Sequence, residues 1–384
     1  MPDRSSPETH TETQTETQTQ SQPRTDPTTP LELTLDHVEF YVADLAAEIA
    51  RLTEEYGFEL LVPPTERGES AERCASALLG QAAVRLLLTQ PLAAGHPAAG
   101  YLARHDDGVA SLALRVPDAT AAYRTLTGRG AAGLRPPQAA DGCVTAVVGA
   151  FGDVVHTLIE RGPDVPADRI PGLPDAAEPT GAESVGLRTV DHFAVCVPSG
   201  DLRDTVRHYC EVFGFRMVFE ERIEVGALGM DSMVVQSPDH SVTLTLIEPL
   251  TPDAGGQIAS FLADHDGAGV QHVAFSSEDA VHSVSTMAAR GVPFLRTPGA
   301  YFDALPARLT PLRHSLDELR DLNLLVDQDH DGQLFQIFTR SRHPRGTFFF
   351  EVIERIRARN FGSNNIRALY EAVELQRNAS EVAR

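Results

Sequence analysis

Two stretches of this 384-residue chain can be laid over one another, which restricts it to folds assembled from a repeated unit. Residues 35–61 read LDHVEFYVADLAAEIARLTEEYGFELL, and residues 190–219 read VDHFAVCVPSGDLRDTVRHYCEVFGFRMVF. Each is an apolar strand opened by Asp-His, then a helix, then a Gly-Phe turn into another strand. A later pair matches, GVASLAL (108–114) against GVQHVAF (269–275), and so does HTLIER (156–161) against FEVIER (350–355). The copies are therefore expected to share a fold. They differ in chemistry: where the second has His192, His272 and Glu351, the first has His37, Ser111 and Thr157. A two-histidine, one-carboxylate set survives only in the C-terminal half.

Between the copies, GPDVPADRIPGLPDAAEPTGAES (162–184) is dense in Pro, Gly and Asp and lacks a hydrophobic period, as expected of a domain connector. The expected organisation is a disordered polar tail (1–31), a degenerate non-catalytic module (32–162), a linker (163–186), a catalytic module (187–378) and a short tail (379–384). The first tail contains TETQTETQTQSQPRTDPTTP, which has nothing to bury. Within the second copy, SVTLTLIEP (241–249) reads as a half-buried strand and DLRDTVRHYCEVF (201–213) as an amphipathic helix. IRALYEAVELQRN (366–378) places Ile366, Leu369, Tyr370 and Val373 on one helical stripe, expected to close the core and cover the site.

Bulk properties exclude several classes. A formal charge of −22 argues against nucleic acid, whose phosphates need clustered Lys and Arg. No run of about 18 apolar residues suggests a membrane span. The N-terminus lacks a secretory pattern, and Cys74, Cys143, Cys196 and Cys210 form no CxxC pair, so a reducing cytoplasm is the expected location.

Two neutral imidazoles and a carboxylate, carried by strands of one curved sheet, can occupy one face of an octahedral metal and leave three positions open. That is the donor set of non-haem Fe(II) oxygenases. A lone strand histidine is usually a packed residue, but His192, His272 and Glu351 recur at equivalent places in three strand motifs. Glu351 also lies within the apolar run FFFEVIER, where an ionised carboxylate is costly unless paired or bound to metal. His208, His282, His314, His330 and His343 lie among polar neighbours and are assigned no chemistry, while His37 is expected to be structural.

The VDH opening, GVQHVAF, QLFQIFTRS (333–341), FFFEVIER and NFGSNNIRALYEAVE (360–374) resemble the 4-hydroxyphenylpyruvate dioxygenase family of the vicinal oxygen chelate superfamily. The resemblance covers roughly residues 33–378. It implies an α+β fold of tandem duplicated βαβββ modules forming two open, barrel-like domains. It also implies Fe(II) as cofactor and 4-hydroxyphenylpyruvate and O2 as substrates, with a homodimer as one assembly compatible with it. Two activities share that substrate in the family. One hydroxylates the ring and gives homogentisate; the other hydroxylates the benzylic carbon and gives (S)-4-hydroxymandelate, and both release CO2.

Ring placement should decide between them, since a shift of about 1 Å changes reactivity by orders of magnitude. Homogentisate-forming members typically read GFGxGNF after the carboxylate ligand. This chain reads NFGSNNI, with aliphatic Ile366 in place of the aromatic. They also generally carry Asn where this chain has Ile247 in LTLIEP. Both departures resemble the mandelate-forming branch, so 4-hydroxymandelate synthesis is the expected activity. Matching positions make Ser232, Thr245, Gln271, Gln336, Phe338 and Phe361 candidate pocket residues, with Asn364 and Asn365 in the gate before the helix. Gln336 is expected to hydrogen-bond substrate and Phe338 to pack on its ring. Gln271 directly precedes a ligand, so in a regular strand it would face away. An extradiol ring-cleaving dioxygenase and a metal-free binding protein are the competing readings; the first releases no CO2, and the second would bind no Fe(II).

Overall fold

Apolar side chains alternate along the strands so that each sheet presents one face to a core shared by the two copies and the other to its own hollow. The computed structural model describes residues 31–225, 228–251, 256–362 and 364–366. The polar tail up to residue 30 and the expected closing helix beyond Ile366 lie outside the described residues. The first copy runs Thr34–Tyr41 (β1), Leu45–Glu54 (α1), Glu59–Arg67 (β2), Cys74–Gln81 (β3), Val84–Pro91 (β4), Pro97–His105 (α2), Gly108–Arg115 (β5), Ala119–Gly128 (α3), Gly133–Ala140 (β6), Cys143–Phe151 (β7) and Val154–Arg161 (β8). The second runs Leu187–Cys196 (β9), Leu202–His208 (α4), Arg216–Val225 (β10), Leu228–Gln236 (β11), Thr243–Pro249 (β12), Gln257–His265 (α5), Gly269–Ser277 (β13) and Ala280–Ala289 (α6). It continues through Gly299–Arg308 (α7), Leu316–Leu322 (α8), Leu325–Gln328 (β14), Gln333–Phe338 (β15) and Phe349–Ile356 (β16).

Each copy forms one eight-stranded sheet, ordered β2-β3-β4-β1-β5-β8-β7-β6 and β10-β11-β12-β9-β13-β16-β15-β14. The orders are identical once the second is renumbered, and each sheet contains two βαβββ units. The repeat legible in the sequence is thus itself double. Helices α1, α3 and α6 start where Asp44, Asp118 and Asp279 accept a backbone N–H of their first turn. The segment read as one helix over 201–213 is α-helical only to His208 and continues as a π-helical turn, Tyr209–Phe213. The rings of Tyr209 and Phe213 stack at 5.2 Å. The Tyr209 hydroxyl reaches Nε2 of His156 on β8, at 2.9 Å, across the contact between the copies.

The shared core is aromatic where the copies meet. Phe40 meets Phe348 at 5.2 Å, Tyr56 meets Phe350 at 5.2 Å and Phe58 meets Phe275 at 5.8 Å. The connector departs from its expected character. Ile170 and Leu173 are buried against Leu61, Val62, Leu78 and Leu87. Leu87 is the counterpart of Thr245, because Leu86 pairs with Val38 as Leu244 pairs with Phe193. The connector therefore fills the hollow of the first sheet on the face whose equivalent in the second sheet, among the described residues, has no connector residue in its apolar cluster.

Candidate metal centre and pocket

Three adjacent strands carry the metal candidates. His192 on β9 pairs with Ala274 on β13, and Ala274 pairs on its other side with Glu351 on β16. The small Ala274 lets the two side chains converge over it, and His272 stands two residues along the same strand. Glu351 Oε2 lies 3.2 Å from Nε2 of His192 and 3.2 Å from Nε2 of His272. All three donor atoms fall within 4.8 Å of one another. Glu351 Oε1 is buried without a hydrogen-bond partner among the described residues. An orphaned carboxylate oxygen beside two imidazole nitrogens is the donor chemistry that a divalent cation satisfies.

Electrostatics agree. Burial works against a charge on His192, yet Glu351 and Asp191 together lift its pKa to about 9. Burial pushes His272 down, while Glu351 is held below the ordinary carboxylate range by the two histidines despite burial. The buried Glu351 carboxylate is thus held between two imidazole nitrogens that face it.

Two bulges complete the arrangement. Val270 pairs with Val195 and His272 with Ala194, leaving Gln271 opposite no residue. Since Val270 and Val273 both enter the shared core, Gln271 and His272 both turn to the hollow. Simple alternation predicts the opposite for Gln271; the extra residue reverses it. The second bulge is at Asp191, between the pairs Val190 with Phe275 and His192 with Ala274. Asp191 accepts from His192 Nδ1 at 2.8 Å and from Nε and Nη2 of Arg355 at 2.8 Å each. A carboxylate on the far nitrogen of a ligand histidine fixes its tautomer and ring orientation. Both bulges recur in the first sheet, at Asp36 and Ala110.

The pocket candidates divide by position. Ile247 lies in an apolar cluster with Ala194, Cys196, Ile223, Met230, Ile258 and Phe261, against which Ile366 packs. Ser232 is the cross-strand neighbour of Ile247, and Thr245 pairs with Ala194; both are buried, and Thr245 Oγ1 has no partner among the described residues. Phe338 stands 5.6 Å from the His272 ring and Phe361 5.5 Å from the His192 ring. Gln336 is 1% exposed and accepts from Asn365 Nδ2 at 3.3 Å, while Asn365 Oδ1 accepts from the Tyr301 hydroxyl at 2.7 Å. A Cβ on Gly362, whose φ is +79°, would lie 1.9 Å from Gln336 Oε1, so the NFG turn requires glycine. Asn364 is exposed and donates its N–H and side-chain amide to Asp327, which makes it an anchor of the gate segment. A cavity of about 800 Å³ opens alongside, lined by Asp191, Thr243, Arg355, Arg359 and Phe361.

Asp191, Arg355, Tyr301 and Phe349, which stacks on His272 at 4.9 Å, are absent from the sequence-derived set. The retained Asp-His and Ile-Glu-Arg of both copies were the available signal for the first two. His314 is buried rather than loosely solvated. Its Nε2 lies 2.8 Å from Glu354, which also accepts from Arg313 and from the N–H of Ala280 at the start of α6. Those partners make the Asp279, His314 and Glu354 cluster a closed ion-pair network. In the first copy Ser111 and Thr157 hydrogen-bond to each other at 2.9 Å in place of ligands.

Residues 36–146 and 189–337 each match the glyoxalase/bleomycin resistance protein/dioxygenase superfamily. The 4-hydroxyphenylpyruvate dioxygenase of Neurospora crassa is 31% identical over 88% of this chain and 90% of its own length. That of Dictyostelium discoideum is 30% identical over 89% of this chain and 97% of its own. A triple mutant of 4-hydroxymandelate synthase from Streptomyces coelicolor is similar in structure, with a TM-score of 0.78 and 40% identity over 91% of this chain and 100% of that one. Two matched domains, the same paired sheets and full-length kinship with these enzymes make the chain a dioxygenase of the 4-hydroxyphenylpyruvate dioxygenase family.

Proposed function

We propose that the protein is a 4-hydroxymandelate synthase, converting 4-hydroxyphenylpyruvate and O2 into (S)-4-hydroxymandelate and CO2. The observation that carries this reading is the aliphatic wall in which Ile366 packs against the cluster holding Ile247. Its 40% identity to a 4-hydroxymandelate synthase, against about 30% for the dioxygenases above, supports it.

His192 Nε2, His272 Nε2 and Glu351 would hold Fe(II), which supplies binding of the 2-oxo acid and O2 and the oxidative decarboxylation. The remaining work falls to this chain's own side chains. Asp191 keeps His192 turned toward the shared centre. Gln336, held by Asn365 and the close passage of Gly362, offers its amide to substrate, and Gln271 reaches the same hollow because of its bulge. Phe338 and Phe361 bracket the aromatic ring, with Ser232 and Thr245 as polar partners for it. Ile247 and Ile366 would bound the ring laterally and so favour hydroxylation at the benzylic carbon over the ring. Atoms balance, with one oxygen of O2 in the product hydroxyl and one in its new carboxylate.

The test is anaerobic loading with Fe(II), addition of 4-hydroxyphenylpyruvate, O2 and a reductant, and chromatography of the products. 4-Hydroxymandelate is the expected main peak; homogentisate as the main peak refutes the assignment. Glu351→Ala should weaken Fe(II) binding by about 100-fold or more, beyond the usual effect of losing an outer partner, and abolish turnover. Undiminished turnover would remove Glu351 from the centre.

A further inference from the structure

Arg355 joins three things that have no other common partner among the described residues. Its fork binds Asp191, the carboxylate behind His192. Its Nη1 donates to the carbonyl of Asn360 at 2.5 Å, and its guanidinium lies 5.0 Å from the centre of the Phe361 ring. The segment 358–362 thus hangs on the same side chain that fixes a metal candidate. Asp329 accepts from the N–H groups of Arg359 and Asn360 and secures the outer side of the segment, while on its inner side Arg355 holds the Asn360 carbonyl and Phe361 also meets the His192 ring.

The first sheet supplies an internal comparison. Arg161, the counterpart of Arg355, binds Asp36 and donates from Nε to the carbonyl of Arg169 at 3.0 Å, in the connector that fills that hollow. Asp36 in turn contacts His37 Nδ1 at 2.7 Å. The same device therefore ties a covering segment to the bulged Asp-His in both copies, but only one copy has a reactive centre behind it.

We propose that Arg355 is a positioning residue that couples the gate segment 358–362, and with it the Phe361 wall, to the orientation of His192. The inference rests on the reading of His192, His272 and Glu351 as a metal centre. It predicts that loosening the gate and loosening the metal ligand are one event. A guanidinium is required, since only its planar fork can hold a carboxylate through two nitrogens and still donate from the third.

The test compares the full-length Arg355→Met and Arg161→Met variants, with Co(II) as the probe metal and no substrate present. In Arg355→Met, amide exchange over 358–362 should rise about tenfold and Co(II) should bind about tenfold more weakly, the lower end of what loss of an outer partner costs. Arg161→Met should change neither, although it removes the equivalent ion pair. If the two variants behave alike in both measurements, Arg355 is merely structural and the proposal is overturned. Arg355→Lys keeps the charge without the fork; should Arg355→Met not fold, raised exchange in the lysine variant supports the proposal and wild-type exchange overturns it. Because neither readout uses substrate, failure here is separable from failure of the product assignment. Wild-type protein that binds no Co(II) would overturn the metal reading itself.

Discussion

His156 makes the contact between the two copies sensitive to acid. It is fully buried, with Nδ1 3.0 Å from the carbonyl of Leu112 and Nε2 2.9 Å from the Tyr209 hydroxyl. That pattern suits a neutral ring, with Nδ1–H donating to the carbonyl and Nε2 accepting from the tyrosine. Burial is the chief reason its pKa falls to about 4, with the nearby His208 adding to the fall and the Leu112 carbonyl opposing it. The unfolded chain therefore takes up this proton near the ordinary value of about 6.5, while the folded protein resists it. The stability contributed is fully present above pH ~6.5 and is lost as pH drops from there toward ~4. The full span is on the order of 3 kcal/mol, of which roughly 1 kcal/mol is lost by pH ~5.5. Urea titrations at pH 7.5 and 5.5 on wild type and His156→Gln measure it. Contributions common to both proteins cancel in the comparison, so the wild type should lose roughly 1 kcal/mol more than the variant between the two pH values. Equal losses would refute a neutral, buried His156 as an acid-sensitive joint.

Two further outcomes are expected. Ile366→Phe should divert part of the product toward homogentisate, since a change of about 1.4 kcal/mol in relative barrier shifts the partition tenfold; an unchanged product ratio by chromatography would remove Ile366 as the control point. Phe40→Ala should cost about 3–5 kcal/mol of unfolding free energy, because Phe40 is 4% exposed and meets Phe348 and Phe350 across the copies. A loss under about 1 kcal/mol by urea titration would mean the copies do not share a cooperative core.

Much of the site was legible because its chemistry is carried by strands whose sequences repeat. Comparing the copies isolates His272 and Glu351 as the positions that changed, with His192 retained as His37, and the shared parity of Gln336 and Phe338 puts both on one face. Gln271 was not legible, since its direction depends on a bulge and a bulge exists only relative to a partner strand. Arg355 was overlooked because its motif is present in both copies, and a feature that does not differ gives no contrast. Asn364 reads like its neighbour Asn365, yet one turns to Asp327 and the other to Gln336 and Tyr301. Neighbouring residues at the start of a helix face different directions, and only the packed sheet beneath them assigns the partners.

The duplication, the alternating strands, the negative net charge and the loss of metal ligands from the first copy are properties of residue order alone, because periodicity and side-chain chemistry are local. Tertiary structure decided the convergence of three distant donors over Ala274, the filling of the first hollow by the connector, and the aliphatic wall that unites Ile247 with Ile366. Each of these depends on strand register and on which surfaces compete for the same hollow, and neither is determined until the sheets have closed.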